Sequence, residues 1–123
     1  MKKRLLIIED EGAIREQLGE YLSLLFPEVE IDLVGTLAEA RRLYAERHYD
    51  LIISDCDLPD GSACKLLKTL PPQIPVIILT GLVDEDLLGE VEEEYRGPLY
   101  LLKKPVPLDE ITNIVGNHLG GSS

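Results

Sequence analysis

The 123 residues fit one domain of ordinary size, and 45% of them are hydrophobic, too many for a disordered chain. The 23 acidic against 12 basic residues give a formal net charge of −11, which repels phosphate backbones and argues against direct contact with nucleic acid or anionic membrane. Met1-Lys2-Lys3-Arg4 followed by Leu5-Leu6-Ile7-Ile8 begins like a signal peptide, but the apolar run stops at Glu9-Asp10. That is short of the roughly 7–15 residues of an h-region, and no stretch approaches the ~20 needed to span a bilayer. Cys56 and Cys64 have neither metal-site spacing nor a disulfide framework and read as reduced thiols of a cytoplasmic protein.

Apolar runs and helical periodicities alternate along the chain. Leu5 to Ile8 lacks polar alternation, as a strand covered on both faces does. Ile14, Leu18, Leu22 and Leu25 recur on one helix face, ended by Pro27. Ile31 and Leu33 alternate with Asp32, a more exposed strand. Thr36-Leu37-Ala38-Glu39 then has the form of a capping box, with Leu37, Ala40 and Tyr44 turned inward. Leu51-Ile52-Ile53 makes a third strand ending at Ser54-Asp55. A turn around Pro59-Asp60-Gly61 precedes a short helix marked by Ala63, Leu66, Leu67 and Leu70. Val76 to Leu79 is a fourth buried strand, ending at Thr80-Gly81. Asp84 is placed to cap a helix carrying Leu87, Leu88, Val91 and Tyr95, whose acidic face includes Glu90, Glu92, Glu93 and Glu94. Leu99 to Leu102 forms a fifth strand, and Leu108, Ile111, Val115 and Leu119 line a last helix. Five alternations of strand and helix predict an α/β fold: a parallel sheet with helices on both faces. The expected division is one domain over 1–119 and a flexible tail or linker start over 120–123.

In an open parallel sheet, ligands bind beyond the carboxyl ends of the strands. That rule gathers Glu9 and Asp10, Asp55, Thr80 and Lys103-Lys104 at one edge. Two carboxylates about 5 Å apart repel by ~3 kcal/mol at an effective dielectric near 20, so such a group calls for a proton or a counter-ion. A hard divalent cation with oxygen ligands, such as Mg²⁺, meets that need. A metal, an ammonium and a hydroxyl around one aspartate would also receive a phosphoryl group, and aspartate is a competent nucleophile for it. Each residue also has a plainer reading. Glu9-Asp10 can cap the first helix, Asp55 or Thr80-Gly81 can serve a turn, and Lys104 can be a solvated lysine. His48 and His118 read as ordinary surface or loop residues.

Four segments taken together resemble the receiver domain of two-component response regulators: Leu5 to Glu11, Leu51 to Gly61, Pro75 to Gly81, and Lys104-Pro105. The resemblance covers essentially the whole chain. It implies a flavodoxin-like (βα)5 three-layer sandwich whose five-stranded parallel sheet has the order 2-1-3-4-5. It also implies that Asp55 accepts a phosphoryl group from a sensor histidine kinase or phosphotransfer protein. Mg²⁺ would be ligated by Asp10 and Asp55, by Glu9 through water, and by the backbone carbonyl of Asp57. Thr80 and Lys104 would contact the phosphoryl oxygens, with a cis peptide before Pro105. The output would pass through the face of the fourth helix, fifth strand and fifth helix, with homodimerisation on phosphorylation and a C-terminal output domain as its possible readers.

Two positions depart from the family pattern. Leu101 stands three residues before Lys104, where many members carry an aromatic switch; Tyr100 falls there only if Lys103 is the functional lysine. Ala63 replaces a common glycine. Two other readings compete: a docking module independent of phosphorylation, and a phosphohydrolase like the haloacid dehalogenases, suggested by the Asp55-Cys56-Asp57 pair.

Overall fold

A computed structural model describes residues 2–70, 73–81, 89, 93, 95 and 97–120. In chain order the elements are β1 (Arg4–Ile8), α1 (Gly12–Leu25), β2 (Glu30–Val34), α2 (Leu37–Glu46) and β3 (Leu51–Asp55). A two-residue ladder follows, β4 (Asp57–Leu58) against β5 (Gly61–Ser62), and leads into α3 (Ala63–Leu67). Then come β6 (Val76–Thr80), β7 (Leu99–Lys103) and the last described helix, α4 (Leu108–Leu119). The five long strands are all parallel in the order β2-β1-β3-β6-β7, so by position along the chain the order is 2-1-3-4-5, as the resemblance implies. This is the flavodoxin-like arrangement.

The uninterrupted apolar runs have a direct cause. Successive side chains of a strand point to opposite faces, so a strand covered on both faces needs hydrophobic residues at every position. Leu6, Ile8, Ile52, Val76 and Ile78 pack on one face with Leu37 and Ala40 of α2 and with Leu66 and Leu67 of α3. Leu5, Ile7, Leu51, Ile53, Ile77 and Leu79 pack on the other with Leu18 and Leu22 of α1 and with Ile111, Val115 and Leu119 of α4. These strand side chains are essentially inaccessible. At roughly 1.5–3 kcal/mol for each fully buried aliphatic side chain, the two layers dominate the energetics and fix the sheet that carries the polar edge.

Leu25 does not face inward as its spacing predicts; it is 46% exposed. The helix ends there, and the backbone turns at Phe26, whose amide still donates to the Leu22 carbonyl at 2.8 Å. That turn returns the Phe26 ring to the core, where a methyl group in place of the Gly116 hydrogen would meet it at 3.8 Å. The Thr36 cap forms, its hydroxyl accepting the Glu39 amide at 3.2 Å. The other half of the box differs: the Glu39 carboxylate accepts the Thr36 hydroxyl proton at 3.1 Å. Of the helix expected after Asp84, most lies outside the described residues; Tyr95 is buried and its hydroxyl donates to the Ile74 carbonyl. No helix among the described residues is long and apolar enough to cross a membrane.

Candidate functional site

Three backbone hydrogen bonds extend the parallel ladders past the carboxyl ends of the strands. The Glu9 amide donates to Val34 at 3.0 Å, Cys56 to Leu79 at 2.8 Å, and Lys104 to Thr80 at 2.7 Å. Register then does the rest: Ile8 lies beside Ser54, Asp55 beside Leu79, and Thr80 beside Lys103. Residues drawn from the beginning, middle and end of the chain therefore meet on one edge.

There the Lys104 ammonium stands 3.1 Å from Glu9 Oε1 and 3.2 Å from Asp55 Oδ2. One carboxylate oxygen from each of Glu9, Asp10 and Asp55 falls within 4.8 Å of the others. Glu9, Asp55 and Thr80 are buried, while Asp10 is exposed. Among the described residues, the cluster thus sets three carboxylates against one ammonium. Burial raises the Glu9 carboxyl to about 6 and the charge of Asp55 adds to the rise, against the lowering effect of its bond to Lys104. Burial also works against the charge of Lys104, but its bonds to Glu9 and Asp55 outweigh that and hold it above the ordinary lysine value. The donors are all hard oxygens, one of them open to solvent, and one ammonium cannot balance three carboxylates; this set suits a small divalent cation.

Of the two candidate lysines, Lys104 enters the cluster and Lys103 is exposed. The Lys104–Pro105 peptide is cis. The Asp57 side chain is exposed on β4 and is not among the three carboxylates of the cluster. The N-cap position of α1 is Glu11, which makes no side-chain cap bond, and Glu9 Oε2 accepts the Glu11 amide at 3.4 Å. Leu101 packs on the α2–α3 side of the sheet. Tyr100 packs on the α1–α4 side, its hydroxyl 2.7 Å from His118 Nε2.

Two contacts escaped the sequence reading. Arg15, one turn into α1, reaches back to donate to the Glu9 carbonyl at 2.9 Å and so braces the segment that carries Glu9 and Asp10. Asp60 spans to α2, where its two oxygens accept the amides of Leu37 and Ala38 at 2.8 and 2.9 Å. Those bonds hold its carboxyl below the usual range. Only its place in a Pro-Asp-Gly turn hinted at a hydrogen-bonding role, and that signal is local.

Residues 5–116 match the response regulator receiver domain, and the chain belongs to that family. It is 33% identical over 118 residues to the DNA-binding transcriptional regulator NtrC of Bradyrhizobium sp. (strain RP501 Parasponia), covering 94% of this chain and 24% of that protein. The response regulator protein PilR of Pseudomonas aeruginosa is 31% identical, with 96% of this chain and 26% of PilR covered. The chain thus spans about a quarter of the length of these relatives. Among solved structures, a CheY-like receiver domain from Methylobacillus flagellatus superposes with a TM-score of 0.78 at 27% identity, covering 95% of this chain and 98% of that one.

Proposed function

We propose that this chain is a phospho-accepting signalling switch with Asp55 as the acceptor. The observation that carries this reading is the Lys104 ammonium held between Glu9 and Asp55, with Asp10 beside them, at the carboxyl edge of the sheet. A carboxylate attacking a phosphoryl group is an anion approaching an anion, so the site's work is positioning and charge neutralisation. The donor would be a phosphohistidine of a sensor histidine kinase or phosphotransfer protein. An Asp55 oxygen forms the new bond to phosphorus, the phosphorus–nitrogen bond breaks, and the imidazole leaves with the electron pair and takes up a proton.

Asp10 and Asp55 would hold Mg²⁺ directly, Glu9 through water, and the Asp57 carbonyl would complete the protein's share. Bound there, the ion supplies positive charge to the transferring oxygens. Lys104, already 3.2 Å from Asp55, pairs with the same oxygens from the other side, and the Thr80 hydroxyl serves as a donor. The new charge on Asp55 then alters the face that includes β7 and α4, where a second copy or an output unit reads it. That unit is either a further part of a longer protein, as the quarter-length match suggests, or a separate partner.

Intact mass after incubation with acetyl phosphate and Mg²⁺ tests the acceptor. The parent is expected to gain one phosphoryl group and Asp55→Ala none. Undiminished labelling of Asp55→Ala would overturn the assignment. A folded parent that neither gains mass nor responds to beryllofluoride would favour the phosphorylation-independent docking module.

A further inference from the structure

A helix leaves its first amides without intrahelical partners, and residues close by in the chain usually satisfy them. In α2 the local cap is already present, since the Thr36 hydroxyl takes the Glu39 amide. The two preceding amides, Leu37 and Ala38, donate instead to Oδ1 and Oδ2 of Asp60, 23 and 22 residues away. A charged acceptor shared by two amides at the positive end of a helix is a strong, directional tie. Asp60 itself is exposed, so its burial does not explain the contact.

What the tie holds is the segment leaving the acceptor. Asp60 lies at the turn of the β4–β5 ladder, in which Asp57 pairs with Ser62 and Leu58 with Gly61. Gly61 has φ near 145°, a conformation that side chains avoid and that makes the turn tight. At the base of the ladder the Ala63 amide donates to Cys56 at 2.9 Å, and Cys56 to Leu79 on β6. Leu58 is buried in the core between these ends. The hairpin is thus pinned to the sheet at its base and to α2 at its tip, and it carries the backbone of Asp57, two residues after Asp55.

From this geometry we infer that Asp60 is a positioning residue: by tying the hairpin tip to α2 it sets where the Asp57 carbonyl stands relative to Asp55 and Asp10. The inference rests on the proposed role of Asp55 and deepens it. Asp60 touches no reacting atom; it acts through the 57–58 backbone. Groups hydrogen-bonded directly to a metal's ligands commonly change affinity by roughly 10–100-fold when removed, and Asp60 acts one step further out, so the low end of that range is expected.

The test compares Asp60→Ala, Asp60→Asn and Thr36→Ala in the full chain. Calorimetry with Mg²⁺ and the rate of labelling by acetyl phosphate are read beside Tm. Asp60→Ala is expected to weaken Mg²⁺ binding about tenfold and to slow labelling. Asp60→Asn keeps one acceptor oxygen and falls between it and the parent. Thr36→Ala also loses a cap of α2, so its Tm drops while its Mg²⁺ affinity and labelling rate stay at the parent's level. If all three variants lose only Tm, Asp60 serves the helix alone and the inference is overturned. If the parent itself neither binds Mg²⁺ nor accepts a phosphoryl group, the reading of Asp55 falls and this one with it.

Discussion

On the amino side of the sheet Arg4 meets Glu30 at 3.1 Å and His48 lies 3.3 Å from Asp50, while Arg47 reaches Asp32 in the middle of β2 at 2.9 Å. At the carboxyl edge a single ammonium, Lys104, faces Glu9 and Asp55 with Asp10 alongside. Both edges are bundles of charge on the same scaffold, yet they differ in balance and in depth. On the amino side each acid has one basic neighbour and side-chain exposures run from 20% to 79%; at the other, Glu9 is 1% exposed and, among the described residues, three carboxylates meet one ammonium. Water can screen the first arrangement at little cost, and such pairs add little stability. It cannot reach the second as well, so the excess negative charge persists as an attraction for a cation or an incoming electrophile. Imbalance, rather than the number of charges, separates the carboxyl edge from the amino side.

Removing the one ammonium that the described residues bring to the carboxylate cluster should have the largest effect. Lys104→Met is expected to lose about 2 kcal/mol at neutral pH without metal, below the ~3–5 kcal/mol of a fully buried pair because Lys104 keeps some solvent. Urea titration measures that loss. The same variant should bind Mg²⁺ more tightly by calorimetry, because the competing charge is gone, yet label more slowly with acetyl phosphate. Equal or weaker Mg²⁺ binding would mean that Lys104 does not share the cation's field.

A smaller effect of opposite sign belongs to Glu9. Its carboxyl titrates near 6 in the fold against an ordinary 4.5. Between those values the folded state keeps a proton that the unfolded chain has released, so stability falls as pH rises through that window. Glu9→Gln should flatten this trend and, in a chelating buffer near neutral pH, be more stable than the parent by ~1–2 kcal/mol. Paired urea titrations across the window check it; a parent that gains stability as pH rises, relative to Glu9→Gln, would contradict the sign.

The amino edge should barely respond. Arg4→Met removes the pair with Glu30, whose side chains are 36% and 46% exposed, and should change stability by less than about 1 kcal/mol, with labelling by acetyl phosphate unaltered. A loss as large as that of Lys104→Met would erase the distinction between the edges.

Much of this was legible before any coordinates. The apolar runs that end at Glu9, Asp55 and Thr80 marked both the strands and, through the rule for parallel sheets, the edge where their polar ends meet. Pro105 singled out Lys104 over Lys103. Those signals are local in the chain, and the physics behind them is local too: period-two burial, helix periodicity, and the turn residues that interrupt them. Tertiary structure decided the rest. It left Leu25 in solvent and brought Phe26 inward, because the path of the chain after a helix depends on what the next strand packs against. It put Tyr100 on the α1–α4 side with His118, and Leu101 on the other. It also brought Asp60 onto the amides of Leu37 and Ala38 and Arg15 onto the Glu9 carbonyl. None of these partners is specified by spacing, since each depends on how the layers close in three dimensions. The sequence by itself determined which residues stand at the ends of the strands; only the closed fold decided that one ammonium would be shared between two carboxylates there, because burial and distance exist only once the sheet is built.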